Sequence, residues 1–335
     1  AVKAAHRGEQ LTEIVTAETA VGAAGYPVLS DKSFGIFIHS VPHLFSDGES
    51  ILEWLDALSE VIAELSVEGE AAASIERAIK VLRTVIFTAG VTAPSDLWIL
   101  KHVLSAHKNL GTLDWLLDGH TIIPESYGPE HGLKVDHLKS DLHFLNARGY
   151  VNKGDDDFSG PHMEEVAWVL QSVQPLESHF NIDMVPVLVD WLSEGRQSAE
   201  NEEFLKSWLV IDEEHKPTGK WIASLYQIEL GYRLLPFVIA LRVLDLTKEL
   251  KQGARVSGIG VDLLPELEEL MCAAGLICDG VVTHLGARVF ERGPGPFGII
   301  GAYHGYLKNL EALLDATSEV KIWVQRGENV SGVVH

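Results

Sequence analysis

Two short stretches constrain the fold more than any other part of the sequence: NARGYVNKGDDDFSG, residues 146–160, and CAAGLICDGVVTHLG, residues 272–286. Each reads as a helix end, a glycine that turns the chain, a short strand, a polar turn and a returning strand. An amphipathic run precedes each of them. Val135, Leu138, Leu142 and Leu145 fall on one side before the first, and Leu263, Leu267 and Leu270 before the second. LWILKHVLSAH and LDWLLDG add helices ahead of the first unit, and GYRLLPFVIALRVLDLTKELKQG ahead of the second. The order helix, helix, helix, hairpin thus occurs twice, which indicates an internal duplication.

The fold predicted from this pattern is mainly α: two winged-helix-like units with helical connections, plus the start of an α/β, Rossmann-like core at the C-terminus. VTAPSD, residues 91–96, breaks the helical period, offers Ser95 or Asp96 as an N-cap and sets a boundary. Residues 1–92 then form an N-terminal helical region, 93–162 the first unit and 163–230 a helical connector anchored by Trp168, Trp191, Trp208 and Trp221. The second unit covers 231–318. VKIWVQR is expected as a buried strand at the opening of 319–335. In the N-terminal region, Ile51, Leu52, Leu55, Leu58, Ile62 and Leu65 face Ile75, Ile79, Leu82, Val85 and Ile86 across the turn-like SVEGE, giving an antiparallel helical pair with acidic outer faces. Its apolar stripe is expected to be buried within the chain; the other reading is a dimer surface.

Composition narrows the function. Of 335 residues, 46% are hydrophobic and 22% charged, which supports large cores and excludes wholesale disorder. No apolar run reaches membrane-spanning length and no secretory signal opens AVKAAHRGEQ, so a soluble, cytoplasmic protein with no membrane partner is expected. With 48 acids against 26 bases and a net charge of −22, the chain is a poor nucleic-acid binder on average. Cys272 and Cys278 form no disulfide framework or four-thiolate site and are expected as core-side thiols.

Familiar motifs are weak or missing. Gly293, Gly295 and Gly298 match G-x-G-x-x-G, but Pro294 and Pro296 lack the amide hydrogens a phosphate cradle uses. GIGVD, residues 258–262, opens a helix, with Asp262 as an N-cap. Among the 15 histidines, the spacings of His39 with His43 and His137 with His143 suit no metal, so none is expected. There is no G-x-S-x-G elbow, Walker loop or kinase set.

The strongest polar cluster lies in GARVFERGPGPFGIIGAYHGYLKNL, residues 286–310, where a glycine-rich turn is flanked by Arg292, Tyr303, His304 and Tyr306. His304 is a candidate general base or donor to an acyl group; the alternative is a helix-start histidine satisfied by backbone or water. Arg292 and Arg326 can hold an anionic ligand, or pair with Glu291 and Glu328.

PELEELMCAAGLICDGVVTHLGARVF, with the helical run before it, resembles the lid that precedes the catalytic core in S-adenosylmethionine-dependent small-molecule methyltransferases. ERGPGPFGIIGAYHGYLKNLEALL and VKIWVQRGENVSGVVH resemble the N-terminal region of apratoxin-type polyketide methyltransferases. The resemblance covers about the last hundred residues. It implies a lid over a small or carrier-linked acyl substrate, with the Tyr303 to Tyr306 segment near the reaction chamber; His304 is then the candidate catalytic residue, and Arg292, Tyr303, Tyr306 and Arg326 the candidate substrate-binding residues. It also implies S-adenosylmethionine as cofactor, bound by a core expected after Asn329, and a homodimer. A winged-helix DNA-binding transcription regulator and a non-catalytic protein-interaction scaffold are the competing readings.

Overall fold

The computed structural model describes residues 31–64, 70–176, 184–194, 203, 205, 206, 208, 209, 222–259, 265–292 and 304–320. The chain is mainly helical, with two small antiparallel hairpins among the described residues. Two long helices, α1 (Asp31–Glu64) and α2 (Glu70–Asn109), lead into α3 (Thr112–Leu117), α4 (Pro124–Glu130), α5 (Val135–Ala147) and the hairpin β1 (Asn152–Lys153) and β2 (Phe158–Ser159). Then come α6 (Glu164–Ser172), α7 (Met184–Glu194) and α8 (Ile222–Val243). The second unit has α9 (Pro265–Ala273), β3 (Ile277–Cys278), β4 (Val281–Val282) and α10 (His284–Arg292), followed by the short α11 (His304–Leu307) and α12 (Leu310–Leu314).

The centre of this arrangement is α8, whose sequence IELGYRLLPFVIAL is apolar on nearly every side and is therefore buried rather than amphipathic. Leu234, Leu235, Phe237, Val238 and Leu241 are buried there against Leu97, Leu100 and Leu104 of α2. The two backbones approach closely because residue 231 is glycine: a Cβ there would sit 2.5 Å from that of Leu97. Any side chain at 231 pushes the two helices apart.

The expected break at residues 91–96 does not occur. Instead α2 runs without interruption through Pro94. A proline inside a helix costs roughly 3 kcal/mol, whereas each fully buried Leu or Trp contributes about 1.5–3 kcal/mol. Leu97, Trp98, Leu100, Val103 and Leu104 all follow within one face-turn or two and are buried. Packing against α8 outweighs the local penalty, so tertiary contacts override the breaker.

The two repeated phrases close in the same way. Gly149 (φ 75°) ends α5, with Gly149 N–H donating to Asn146 O at 2.9 Å and Tyr150 N–H to Leu145 O at 3.0 Å. Gly275 (φ 70°) ends α9, with Gly275 N–H donating to Cys272 O and Leu276 N–H to Met271 O, both at 2.9 Å. Both are Schellman closures, which need a left-handed residue and so select glycine. In the hairpins, Lys153 faces Phe158 and Cys278 faces Val281. Asp279 and Gly280, at φ 50° and 71°, make the tight reversal that a two-residue hairpin loop demands. Each second strand also bridges to a residue upstream of its helix, Ile122 to Phe158 and Arg255 to Val281.

Cys272 and Cys278 are exposed, contrary to the expected core-side placement. Cys272 turns away from the face of α9 that buries Leu267, Leu270 and Met271, and Cys278 alternates outward from the buried Ile277. The N-terminal pair also departs from expectation. Leu52, Leu55, Ile79 and Ile86 are buried, but Ile75 and Leu82 are exposed along with Trp54 and Val61. This pair is fastened to the distant second unit by Glu49, whose carboxylate accepts from His284 N–H (3.0 Å) and Leu285 N–H (2.8 Å) at the start of α10. Trp191 and Trp208 are buried and Trp168 half-buried, as the connector requires; Val320, the first residue of the expected strand, is exposed, and Trp221, Leu263, Asp262 and residues 321–326 lie outside the described residues.

Candidate functional site

The C-terminal half of α2 presents two polar faces. On one, His102, Ser105, Ala106 and Asn109 recur at helical spacing and form the wall of a cleft of about 470 Å3. Leu176, Lys308 and Glu311 line its other sides. Asn109 Nδ2 donates to Glu311 Oε1 at 2.7 Å, closing one end. The strap that carries Lys308 and Glu311 is pinned by its buried Leu307, Leu310, Leu313 and Leu314. Residues 132–134 grip it from outside: Ala316 N–H donates to Gly132 O and Lys134 N–H to Leu314 O, each at 2.7 Å, while Lys134 Nζ reaches Ser318 O at 2.8 Å.

On the opposite face, His107 is fully buried and its Nε2 lies 3.1 Å from Asp141 Oδ2 of α5. With Nε2–H donating to the carboxylate, Nδ1 of the neutral ring carries the lone pair, and it has no hydrogen-bond partner among the described residues. Tyr306 from α11 closes over this pair. Burial pushes its hydroxyl up to about 12, and the charge of Asp141 adds in the same direction. Tyr306 is therefore a neutral donor across the physiological range, suited to hydrogen bonding and not to proton abstraction. The histidine and carboxylate resemble a catalytic dyad in type, but a ring with no exposed surface reaches no substrate while Tyr306 stays in place. The pair ties α2 to α5 beneath the strap-bearing side of the chain.

A second buried polar cluster fixes the cleft from behind. Glu229 of α8 is paired with both Lys101 and Arg233. Lys101 Nζ also donates to Gln174 O at 2.9 Å and Arg233 Nε to Trp208 O at 2.7 Å, so one carboxylate positions two points of the connector. Burial works to raise the Glu229 pKa, but the Lys101 and Arg233 charges dominate and bring it from 4.5 down to about 2. Beside it, the His102 ring stands edge-on between Trp98 and Tyr232, at centroid distances of 4.7 and 5.7 Å. Burial raises the Tyr232 hydroxyl well above its ordinary range.

Of the residues proposed from sequence, Tyr306 is brought to a polar site. His304 begins α11 and Arg292 ends α10, both described in backbone only, while Tyr303 and Arg326 lie outside the described residues, as does the Gly293 to Gly298 motif. His107, Asp141, His102, Ser105 and Glu229 were not singled out by the sequence. No group of three metal-ligating side chains occurs among the described residues. No described helix is long and apolar enough to cross a membrane.

A scan of protein-family models finds no match to this chain, and a search of curated proteins finds none either. The functional reading therefore rests on the residues themselves.

Proposed function

We propose that this chain is the lid and dimerisation region of an S-adenosylmethionine-dependent methyltransferase that acts on a small or carrier-linked acyl substrate. The observation that carries this reading is the cleft between α2 and the strap. It is a polar cleft among the described residues, and residues 307–312, which follow directly on the Tyr303 to Tyr306 segment that the resemblance sets near the reaction chamber, supply one of its walls. In this reading the lid consists of two winged-helix units. Their support is the repeated helix and hairpin with a third bridging residue, Ile122 in one and Arg255 in the other. His304 acts as the base, and Tyr306 with Arg292, Tyr303 and Arg326 holds the acceptor.

The described residues do not fit the methyl donor. Its adenosine and methionine portions need a strand, a glycine-rich loop and a helix N-terminus with an acidic partner, and the strands described here are two-residue hairpins. Donor binding is accordingly assigned to a core following Asn329, and no step is built on the donor here.

The regulator reading loses support from charge. On α5, Lys139 is engaged with Glu125 (2.8 Å), Arg148 with Asp96, and Lys134 with Ser318 O. The corresponding helix α9 offers Glu266, Glu268 and Glu269, and the first hairpin turn carries Asp155, Asp156 and Asp157. Groove reading needs free bases at these points. Calorimetry of the full gene product with S-adenosylmethionine and with duplex DNA tests the choice. Binding of the donor alone is expected; binding of DNA alone replaces the reading with a regulator, and binding of neither with a scaffold. In the donor-binding protein, His304→Ala is expected to lower methyl transfer by about 10²-fold with donor affinity retained.

A further inference from the structure

The helical pair carries an apolar surface that the rest of the described chain leaves open. Trp54 (53% exposed) and Val61 (48%) are seven residues apart on α1, and Ile75 (38%) and Leu82 (44%) seven apart on α2, with Leu58 half-buried between them. Residues repeated every seven positions share one helix face, the spacing by which helices of separate hairpins pack together. Four large apolar side chains on one hairpin are more than scattered surface residues.

The charges beside this surface are divided between the two helices. From Gly48 to Glu64, α1 carries acids and no base, whereas α2 carries Arg77, Lys80 and Arg83 with no acid between them, following Glu70 and Glu76. Arg83 pairs with Asp56 inside the hairpin. Glu53, Glu60, Glu64, Arg77 and Lys80 make no ion pair among the described residues; the side chain of Arg77 reaches the Ser74 hydroxyl at 3.1 Å. Glu53 and Glu60 each immediately precede an exposed apolar residue, Trp54 and Val61.

We propose that a second copy of this chain covers this surface, the two hairpins packing about a two-fold axis with α1 of each along α2 of the other. A foreign basic helix suits α1 but is repelled by α2, and an acidic one the reverse. A second copy satisfies both helices at once, because a two-fold brings the acidic edge of each α1 to the basic edge of the partner's α2. The apolar residues supply the buried centre of the contact and the charges fix its direction. This arrangement rests on the dimerisation part of the proposed function and gives it a surface; its failure removes that part, while the lid part is decided by donor binding.

Light scattering and sedimentation of the full chain test it. Twice the chain mass at micromolar concentration is expected. Trp54→Glu with Leu82→Glu should give a monomer of unchanged helicity by circular dichroism. Glu53→Lys with Glu60→Lys should weaken association roughly tenfold at low salt. Adding Arg77→Glu and Lys80→Glu to that same chain should restore it, a rescue that misfolding cannot imitate. A monomeric wild type overturns the proposal, including one whose Trp54 emission shows it covered by residues 1–30 of its own chain. So does a dimer that survives both glutamates, or a charge reversal without rescue.

Discussion

The two helix and hairpin units share a turn and differ in what their helices bury. Aligned on Gly149 and Gly275, Leu145 corresponds to Met271, Tyr150 to Leu276 and Val151 to Ile277, all of them buried. Asp141 then corresponds to Leu267, which is fully buried among apolar neighbours. In the first unit that core position holds a carboxylate, and the carboxylate is tied to the buried His107 under Tyr306. The second unit shows that the scaffold closes without any polar group there. A buried histidine and carboxylate pair is, like a buried ion pair, weak evidence for stability and often no better than an apolar replacement. The pair at Asp141 is thus an addition to the scaffold, located where the strap crosses, and the position marks the first unit as the one adapted to a site.

Substitutions at the aligned positions can break this contrast. Leu267→Asp, which copies the first unit into the second without a histidine to receive it, should cost about 5 kcal/mol or prevent folding, as read by chemical denaturation. Next in size, His107→Leu should cost about 3–5 kcal/mol by leaving the Asp141 carboxylate buried and unpaired. Combining it with Asp141→Leu should bring stability back to within about 1 kcal/mol of the wild type. If the double variant is as unstable as the single, the pair belongs to the scaffold after all.

A third measurement separates the units from the frame they share. The Glu229 pKa is brought from 4.5 to about 2, so its stabilisation is complete above about pH 4.5 and is lost as pH falls toward 2. That contribution is roughly 3 kcal/mol, and acid unfolding curves of Glu229→Gln should lack this pH dependence while starting from a lower stability. The smallest effect is expected at the turns. Gly149→Ala and Gly275→Ala should each cost about 1 kcal/mol, equally in both units, since each forces a side chain into the left-handed region. Unequal costs would show that the two closures are not one device.

Much of the helical order was legible because it rests on local codes: apolar spacing for α5 and α9, glycine for the closures, Asp279-Gly280 for the second hairpin. Pro94 misled because its local penalty is smaller than the burial of Leu97 to Leu104, and burial against α8 is not a property of residues 91–96. The candidate site was less legible. Tyr306 stood out in a polar cluster, but Asp141 lies on the same helix side as Leu138, Leu142 and Leu145 and reads as a surface acid unless the two units are aligned residue by residue. That alignment, with Leu at 267, was the available signal. His102 and Ser105 gave none, since their importance comes from residues 307–312, far away in sequence.

The carboxylate of Glu49 that caps α10 reaches across 235 residues to His284. Closing a loop of that length first would cost on the order of 5 kcal/mol in chain entropy, about as much as the two charge-assisted hydrogen bonds return together at about 1.5–3 kcal/mol each. The cap therefore gains little until the intervening helices have shortened the span. During synthesis, the N-terminal hairpin leaves the ribosome long before its docking partner exists, and its apolar face waits in water while the rest is made. The order of emergence makes the docking of α10 onto the hairpin a late event, and the hairpin a part of the nascent protein in need of protection by a chaperone.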